Sequence, residues 1–521
     1  MEKSIIQNGF KLDSLEVRDH PILGNNTFNF LDKEDDSNSI YFTVLIGSNG
    51  TGKSELLKLI LHLFRGVYLI EGNRFRVNYF FALKFWNSGY LFEFSNNRDI
   101  KFVDITNKKS KYPSPNFYLN NKTIEREEFI NAFPSSIIAN SLMLTDKFIA
   151  PRNGREQADF PIYKYLGVRN RPQQASTRSY VRKTVEFIVE QLNSEVFKEG
   201  ITNLSKFLGF NGSVEVRYST IYTKKFYTGN LKKEELEDYF YKIDEQYKNS
   251  TVTPPFKLNY FKSLTKEDGE LDRLVFFINT LFKTDRLIPV YRSTKKELSY
   301  RVDNKLEHSL LKEEYEHLDK LRKLGLVNPP SVNFIHNDKP LGIQQTSSGE
   351  FHFFSTMVGL MATVKPGSLI LIDEPEISLH PNWQMKYLAF IRKLFNEPKY
   401  NTCHIIIATH SHFLISDLQG ASSKIIGLKK TNTKIETLHI NTNTYGWSAE
   451  EILLDIFQVP TTRNHFVSER IGSILDEIAK PDKDTNLIKQ AVKDLQDKNI
   501  DKLSNEDPLK EIIDKLIEKY G

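Results

Sequence analysis

The sequence predicts an α/β head in two lobes, interrupted by a large insertion and followed by a helical tail, and three observations predict it. The first is the apolar run Tyr41–Ile46, bounded by Gly47 and followed at once by Leu56, Leu57, Ile60, Leu61 and Phe64 at helical spacing. Strand, glycine turn, helix is the reading. The second is the set of short aromatic-rich runs between 68 and 145, broken by Asn-rich turns, which predicts antiparallel strands. The third is the return of apolar α/β material from 350 to 445, after about 180 residues (151–330) dominated by helical patterns.

Composition bounds what such a chain can be. At 521 residues it exceeds what one core holds, and 39% hydrophobic residues exclude disorder, while a single cysteine excludes a disulfide scaffold. The N-terminal stretch lacks a cationic segment leading into an apolar core, and no run of about 18 apolar residues occurs, so a soluble cytoplasmic protein without membrane contact is expected. Cys403, within the apolar run Cys403–Ala408, reads as a small buried hydrophobe in a strand. The net charge of +5 is too small to argue for nucleic acid, so the distribution of charge matters more than its sum.

In chain order, Phe10–Val17 and Phe28–Leu31 read as strands ahead of Tyr41–Ile46, and Tyr79–Trp86 and Tyr90–Phe94 as antiparallel strands, with turns at Asn96-Asn97 and Asn120-Asn121. These fill an N-terminal lobe, 1–150. The insertion, 151–330, opens with the one concentrated basic stretch: Arg152, Arg155, Lys164, Arg169, Arg171, Arg178, Arg182 and Lys183 against Glu156 and Asp159. Helical patterns follow at Val181, Val185, Ile188 and Leu192 and in 231–248 and 303–325, none sustained for the many heptads of a long coiled-coil arm. A hairpin over Val332–Ile343, turning at Asn337-Asp338, leads into the C-terminal lobe, 331–445. The tail, 446–521, reads as helices: Ser448 with Glu451 suggests a capping box, and Asp507-Pro508 begins an amphipathic segment through Leu509, Ile512, Ile513, Leu516 and Ile517.

The chemistry is concentrated in four places. Gly47-Ser48-Asn49-Gly50-Thr51-Gly52-Lys53-Ser54, followed by Glu55, satisfies G-x-x-x-x-G-K-[ST] between a strand and a helix. Glycines let successive N–H groups curl around phosphates, Lys53 reaches the β- and γ-phosphates, and the Ser54 hydroxyl is a Mg²⁺ ligand, so ATP with Mg²⁺ is expected. Leu369–Ile372 ends in Asp373 and Glu374, placing Asp373 beside Ser54 and the metal and Glu374 as general base for the attacking water. The strand Cys403–Thr409 ends in His410, a candidate donor to the γ-phosphate. Ser347-Ser348-Gly349-Glu350 opens a helix and offers hydroxyls, a glycine N–H and a helix dipole as a second phosphate-binding device, although the same residues also read as an N-cap.

In this order the motifs GSNGTGKS, SSGE, LILIDEPEISLHP and IIIATHSH resemble an ABC-type ATPase of the SMC/RecF-like group, with Walker A, signature, Walker B, D-loop and switch histidine. The resemblance covers about 1–145 and 330–445. It implies a P-loop head with a mixed sheet and an antiparallel β subdomain, and a homodimer in which Lys53 and Ser54 of one subunit share ATP with Ser348 and Gly349 of the other. Ser378-Leu379-His380-Pro381 would be the D-loop. The segment Ile137–Ser141 to Phe148 contains no glutamine to serve as a Q-loop.

Shorter motifs, Ile137-Ile-Ala-Asn-Ser141 with Thr145-Asp146-Lys147-Phe148, Tyr163-Lys-Tyr-Leu-Gly167, Tyr445-Gly446 and Glu451-Ile452-Leu453, resemble the ATPase subunit of Septu-type and retron-associated bacterial antiphage systems. That resemblance implies an oligomer of ATPase dimers paired with a separately encoded HNH-type nuclease. A DNA-binding ATPase of RecF/SMC type in repair or maintenance is the alternative. The basic stretch 151–185, interleaved with Phe160, Tyr163, Tyr165 and Tyr180, reads either as a surface for nucleic acid, including retron RNA or DNA, or as a solvated helix and loop. Asp482-Lys-Asp484 follows no hydrophobic strand, so no nuclease is expected within the chain.

Overall fold

The computed structural model describes residues 9–32, 39–69, 77–96, 112, 114–150, 160–171, 174–248, 253–284, 286–290, 293–336, 339–416, 418, 422–431, 434–440, 444, 447, 452, 465–480, 484–497 and 508–521. They fall into two compact units, Met1–Tyr445 and Gly446–Gly521.

In the first unit, β1 (Phe10–His20) and β2 (Gly24–Asn29) form a hairpin, and β3 (Tyr41–Gly47) runs through a glycine turn into α1 (Lys53–Leu69). Then come β4 (Phe80–Asn87), β5 (Tyr90–Ser95), β6 (Asn116–Leu119), β7 (Lys122–Thr123), α2 (Arg126–Asn131) and β8 (Ile137–Ser141). The next stretch holds β9 (Tyr163–Tyr165), β10 (Arg169–Arg171), β11 (Gln174–Ala175), α3 (Thr177–Gln191), α4 (Glu195–Phe207) and β12 (Val214–Ser219). It continues with α5 (Lys233–Lys248), α6 (Phe256–Leu264), α7 (Glu270–Lys283), β13 (Ile288–Pro289), β14 (Lys296–Arg301), α8 (Lys305–Leu324), β15 (Ser331–His336) and β16 (Lys339–Gly342). The unit closes with α9 (Ser348–Thr363), β17 (Leu369–Asp373), α10 (Pro381–Leu394), β18 (His404–Thr409), β19 (Ser423–Thr431) and β20 (Lys434–Ile440).

The central sheet has the order β20-β19-β3-β18-β17-β8-β9, and every neighbouring pair is parallel except β19 with β20. Every residue of β17 and β18 is buried, as apolar strands covered on both faces should be. The second sheet, β2-β1-β4-β5-β6-β7, is antiparallel throughout. Between the sheets lies α1, whose Leu56, Leu57, Leu59, Ile60, Leu61, Leu63, Phe64 and Val67 are all buried, a wider stripe than the one-sided face expected from spacing. An aromatic cluster cements this layer: Phe85 lies 5.2 Å from Phe10, 5.7 Å from Phe64, 5.5 Å from Phe92 and 5.4 Å from Phe129, centroid to centroid.

A buried histidine ties the layers together. The Leu12 N–H donates to His404 Nδ1 (3.0 Å), so the neutral ring carries its proton on Nε2 and donates to Thr43 Oγ1 (2.8 Å), whose hydroxyl donates to the Phe30 carbonyl (2.7 Å). Burial and the nearby Lys11 hold the His404 pKa well below its usual value. Cys403 is buried and free, its thiol donating to the Lys365 carbonyl (3.2 Å).

The 151–330 stretch is not purely helical. A five-stranded antiparallel sheet, β13-β14-β12-β15-β16, joins it to the hairpin at 331–342, and β9 extends the central sheet by pairing with β8. The limits expected at 150 and 330 therefore run through hydrogen-bonded sheets. The described residues of the second unit form three helices, α11 (His465–Ala479), α12 (Thr485–Asp497) and α13 (Pro508–Tyr520), around Ile471, Ile474, Ile488, Val492, Leu495, Ile513, Leu516 and Tyr520. Asp484 accepts from the N–H groups of Asn486 and Leu487 at the start of α12, an N-capping role. Asp482, the Asn337-Asp338 turn and the Ser448 to Glu451 box lie outside the described residues.

Truncating the centre of the aromatic cluster should be costly because several rings lose a partner at once. Phe85→Ala is expected to lower the stability of the first unit by about 3–5 kcal/mol, read as a lower urea midpoint with an unchanged slope.

Candidate active site

Parallel register sets the site. Asp373, the last residue of β17, lies opposite Ala408 of β18 and Ser141 of β8, while Thr409 pairs with Ile46 and Gly47 with Leu428. The C-terminal ends of β3, β17, β18 and β8 thus deliver the Gly47–Ser54 turn, Asp373-Glu374, His410 and the segment after Ser141 to one edge.

The turn needs its glycines. Gly47 (φ 153°) packs so that a Cβ would stand 2.3 Å from the Leu428 carbonyl oxygen, and Gly52 (φ 89°) so that one would stand 2.8 Å from Leu23 Cδ2. Gly50 is also at positive φ, and Ser48, Asn49 and Gly50 face solvent. Thr51 is buried and donates from Oγ1 to the Ser48 carbonyl (2.9 Å), closing the loop on itself. The Lys53 ammonium folds back under it, donating to the carbonyls of Gly47 (2.9 Å) and Ser48 (3.4 Å) and lying 2.7 Å from His410 Nε2. Burial lowers the Lys53 pKa to about 8 against the opposing pull of Glu374, Asp373 and Glu376. Glu55 pairs with Lys58 (2.9 Å) and Lys147 (3.8 Å).

Ser54 donates from Oγ to Asp373 Oδ1 (2.9 Å), whereas Asp373 Oδ2 is buried with no hydrogen-bond partner. Burial, reinforced by the charges of Glu374 and Asp146, pushes the Asp373 carboxyl up to about 7 despite the Ser54 hydrogen bond and Lys53. An orphaned buried carboxylate oxygen beside a serine hydroxyl is a fitting donor set for a small hard cation, which needs only one or two protein oxygens when phosphates and water complete its shell. Among the described residues, no group of three or more His, Cys, Asp or Glu side chains converges to hold a metal unaided.

Glu374 sits in the left-handed region (φ 52°), held there by its N–H donating to the Ala408 carbonyl (2.8 Å). Its Oε1 lies 3.1 Å from His410 Nε2. That nitrogen cannot serve both neighbours at once: unprotonated it accepts from Lys53, protonated it donates to Glu374. Burial pulls the Glu374 pKa upward, but the His410 hydrogen bond and the charges of His410 and Lys53 together hold it below the usual value. Glu376, which sequence reasoning passed over, fixes the histidine: its Oε1 accepts the His410 backbone N–H (2.6 Å). Its only sequence signal is its place two residues beyond Glu374.

Ser347 caps α9 as a capping box, its Oγ accepting from the Glu350 N–H (3.2 Å) and its N–H donating to Glu350 Oε2 (2.7 Å). Ser347 and Ser348 are exposed, and the hydrogen bonds of this turn stay local. Gly349 is buried against the 378–381 loop, where a Cβ would lie 2.2 Å from the Ser378 carbonyl oxygen. That loop is connected to the histidine: Ser411 Oγ donates to Gln384 Oε1 (2.6 Å), and Gln384 Nε2 donates to the Leu379 carbonyl (2.9 Å). The basic stretch is partly committed elsewhere. Arg169 pairs with Asp146, Arg182 with Glu186, and Lys183 donates to the Tyr165 carbonyl, while Arg152 and Arg155 lie outside the described residues.

Strand order, Walker A turn and the Ser54–Asp373 contact together define an ABC-type P-loop ATPase head. Residues 333–416 match the family described as "AAA domain, putative AbiEii toxin, Type IV TA system". The chain is also similar to the Septu protein PtuA of Bacillus thuringiensis, 33% identical over 107 residues that make up 20% of this chain and 25% of that protein. The match thus spans about a quarter of that relative. Solved structures with similarity include the SMC head domain from Thermotoga maritima (11% identical, TM-score 0.35, covering 83% of this chain and 100% of that one). Two others are the Smc head domain bound to the C-terminal domain of ScpA from Pyrococcus furiosus (12%, 0.32, 90% and 100%) and the recombination mediator RecF (12%, 0.29, 84% and 100%). The class rests on strand order and motif geometry, not on these scores. No helix among the described residues is long and apolar enough to cross a membrane.

Asp373 offers a test without any ligand. Its carboxyl binds a proton more tightly folded than unfolded, so the native state loses stability as pH rises from about 4 to 7. Asp373→Asn removes that loss. The metal-free variant is expected to be more stable than the parent at pH 8, by on the order of 2–4 kcal/mol, with no gain at pH 4, in paired denaturant titrations.

Proposed function

We propose that this chain is the ATP-binding and ATP-hydrolysing subunit of a bacterial antiphage defence complex, closing head to head around ATP and regulating a separately encoded HNH-type nuclease. The observation that carries the ATPase half is the convergence of Lys53, Ser54, Asp373, Glu374 and His410 at one sheet edge. The exposed signature turn, which spends its hydrogen bonds on itself, supports closure on a second copy. The defence half is supported by the similarity to a Septu protein.

In this mechanism the backbone of Gly47–Lys53 cradles the phosphates, with the N-terminus of α1 behind it. Lys53 leaves the Gly47 and Ser48 carbonyls for the β- and γ-phosphates. Ser54 and Asp373 would hold Mg²⁺, which would supply charge neutralisation at the phosphate oxygens. Glu374, kept ionised by His410 and Lys53, orients the attacking water and takes its proton. With Lys53 drawn to phosphate, His410 is released to face the γ-phosphate, positioned by Glu376. Ser348 and Gly349 of a second copy cover the nucleotide, and the 378–381 loop behind Gly349 links that contact back to His410.

A DNA-maintenance ATPase, the alternative, needs a free cationic face. The commitment of Arg169, Arg182 and Lys183 to intramolecular contacts leaves Lys164 and Arg178, among the cations of the stretch whose side chains are described, to supply one.

Glu374→Gln is expected to lower turnover at least a hundredfold and to trap an ATP-dependent dimer in light scattering, while Lys53→Ala abolishes ATP binding and the dimer with it. Wild-type ATPase rates in both variants would remove the site assignment. A tagged chain drawn from its host with ATP should bring an HNH-type nuclease; recovery of DNA and repair factors alone would transfer the reading to the RecF-like alternative.

A further inference from the structure

The segment from Ile137 to Phe148 contains no glutamine, yet it is anchored in a specific way. Asp146 is buried, and its carboxylate is fully engaged: Oδ1 accepts from the Phe148 N–H (2.9 Å) and from an Arg169 guanidinium nitrogen, while Oδ2 accepts from Arg169 Nε (2.8 Å) and the Tyr165 hydroxyl (2.7 Å). The same guanidinium donates to the Phe148 carbonyl (2.6 Å). This is a two-pronged charge-assisted clamp in an apolar setting, the arrangement that fixes geometry most stringently.

One end of the clamp reaches the nucleotide site. Ser141 sits in register with Asp373, so the Asp146 segment leaves the sheet at the metal edge. Its neighbour Lys147 pairs with Glu55, the residue after Ser54. The other end reaches the signature helix. Lys183 of α3 donates to the Tyr165 carbonyl, and Leu166 and Phe187 pack on α9 so closely that a Cβ at Gly359 would come within 3.2 Å of Leu166 and 3.3 Å of Phe187. Tyr180 of α3 stacks edge-on against Phe351 (5.5 Å) and meets Thr356 Oγ1 (3.3 Å). The metal edge is thus linked to the Asp146 loop by strand register and the Lys147–Glu55 pair, and the clamp is linked through Tyr165 and Lys183 to α3, which packs on the helix carrying Ser348.

We propose that the Asp146–Arg169–Tyr165 clamp is the coupling element of this ATPase, standing where a Q-loop would stand and transmitting occupancy of the metal-phosphate site to α9 and its signature turn. Asp146 and Arg169 are positioning residues: their polar atoms bond to each other, to the Tyr165 hydroxyl and to the Phe148 backbone. Rigid contacts transmit displacement because packed interiors shift between discrete arrangements instead of yielding gradually. A shift of the metal edge on nucleotide binding is carried by the Asp146 loop to Arg169, and by α3 to α9.

The proposal rests on the head-to-head reading above, and the test separates the two. In a full-length Glu374→Gln background, Asp146→Asn and Arg169→Met are expected to bind a fluorescent ATP analogue within threefold of the parent, while the ATP-dependent dimer fraction falls at least tenfold. With Glu374 intact, the same substitutions should lower kcat at least tenfold at a KM changed less than threefold, a split that general loosening of the fold would not give. If either variant fails to fold, Tyr165→Phe, which removes one hydroxyl from the clamp, should cut the dimer fraction at least threefold at unchanged affinity. Parent-like dimerisation and kcat would overturn the coupling role, as would loss of nucleotide affinity in a folded variant. Failure of Glu374→Gln alone to dimerise would instead overturn the closure reading, leaving the kcat-against-KM split to decide on the clamp.

Discussion

The pairing of β17 between β8 and β18 is the constraint on which the rest of the molecule depends. Five consecutive buried residues end in Asp373, and parallel register places that carboxylate against Ser54, at the start of a helix that begins on another strand. Side chains alternate between the faces of a strand, so a one-residue slip would send Asp373 to the opposite face and bury Ile372 in its place. Keeping an acid at that depth works against the fold, and the raised Asp373 pKa records the cost. The surrounding apolar strands and the packed α1 layer supply the stability that tolerates it.

Around that fixed point the polar groups are shared. Lys53 and Glu374 meet on one nitrogen of His410, Glu376 holds the same histidine by its backbone, and Ser411 and Gln384 carry the connection to the 378–381 loop. A group with two competing partners is poised to exchange one of them when a phosphate arrives. The strained φ of Glu374 belongs to the same design, since the hydrogen bond to Ala408 holds the backbone where ordinary preference would not. His404, six residues before His410, shows the contrast: fully buried, neutral, with both ring nitrogens committed, it links strands and takes no part in the site.

Much of this was legible in residue order. The Walker A turn could be read because its eight residues are contiguous and sit between strand and helix signals, and Asp373 because an unbroken apolar run ends on it. The hairpin at 331–342 and the helices at 177–191, 233–248 and 305–324 follow from alternation and from helical spacing. The sheet in the middle of the chain was not legible. Its β12 pairs with β14, more than 75 residues downstream, β13 is two residues long, and the helical patterns between them mask the pairing. The basic stretch illustrates a further limit, because counting charges cannot reveal that Arg169 turns inward to Asp146 and Lys183 to a carbonyl.

By itself the sequence determined the local chemistry: which loop can wrap a phosphate, which strand ends in a carboxylate, which turn caps a helix. Each depends on neighbouring residues whose backbone angles and hydrogen bonds are set within a few positions. Tertiary structure alone decided which of those pieces meet. That Glu376 holds His410, that Gly349 rests on the Ser378 carbonyl, and that Asp146 holds Arg169 are consequences of packing between segments tens of residues apart. Such contacts form because burial leaves each polar group only the partners that the fold brings within reach, and no pattern along the chain states which those will be.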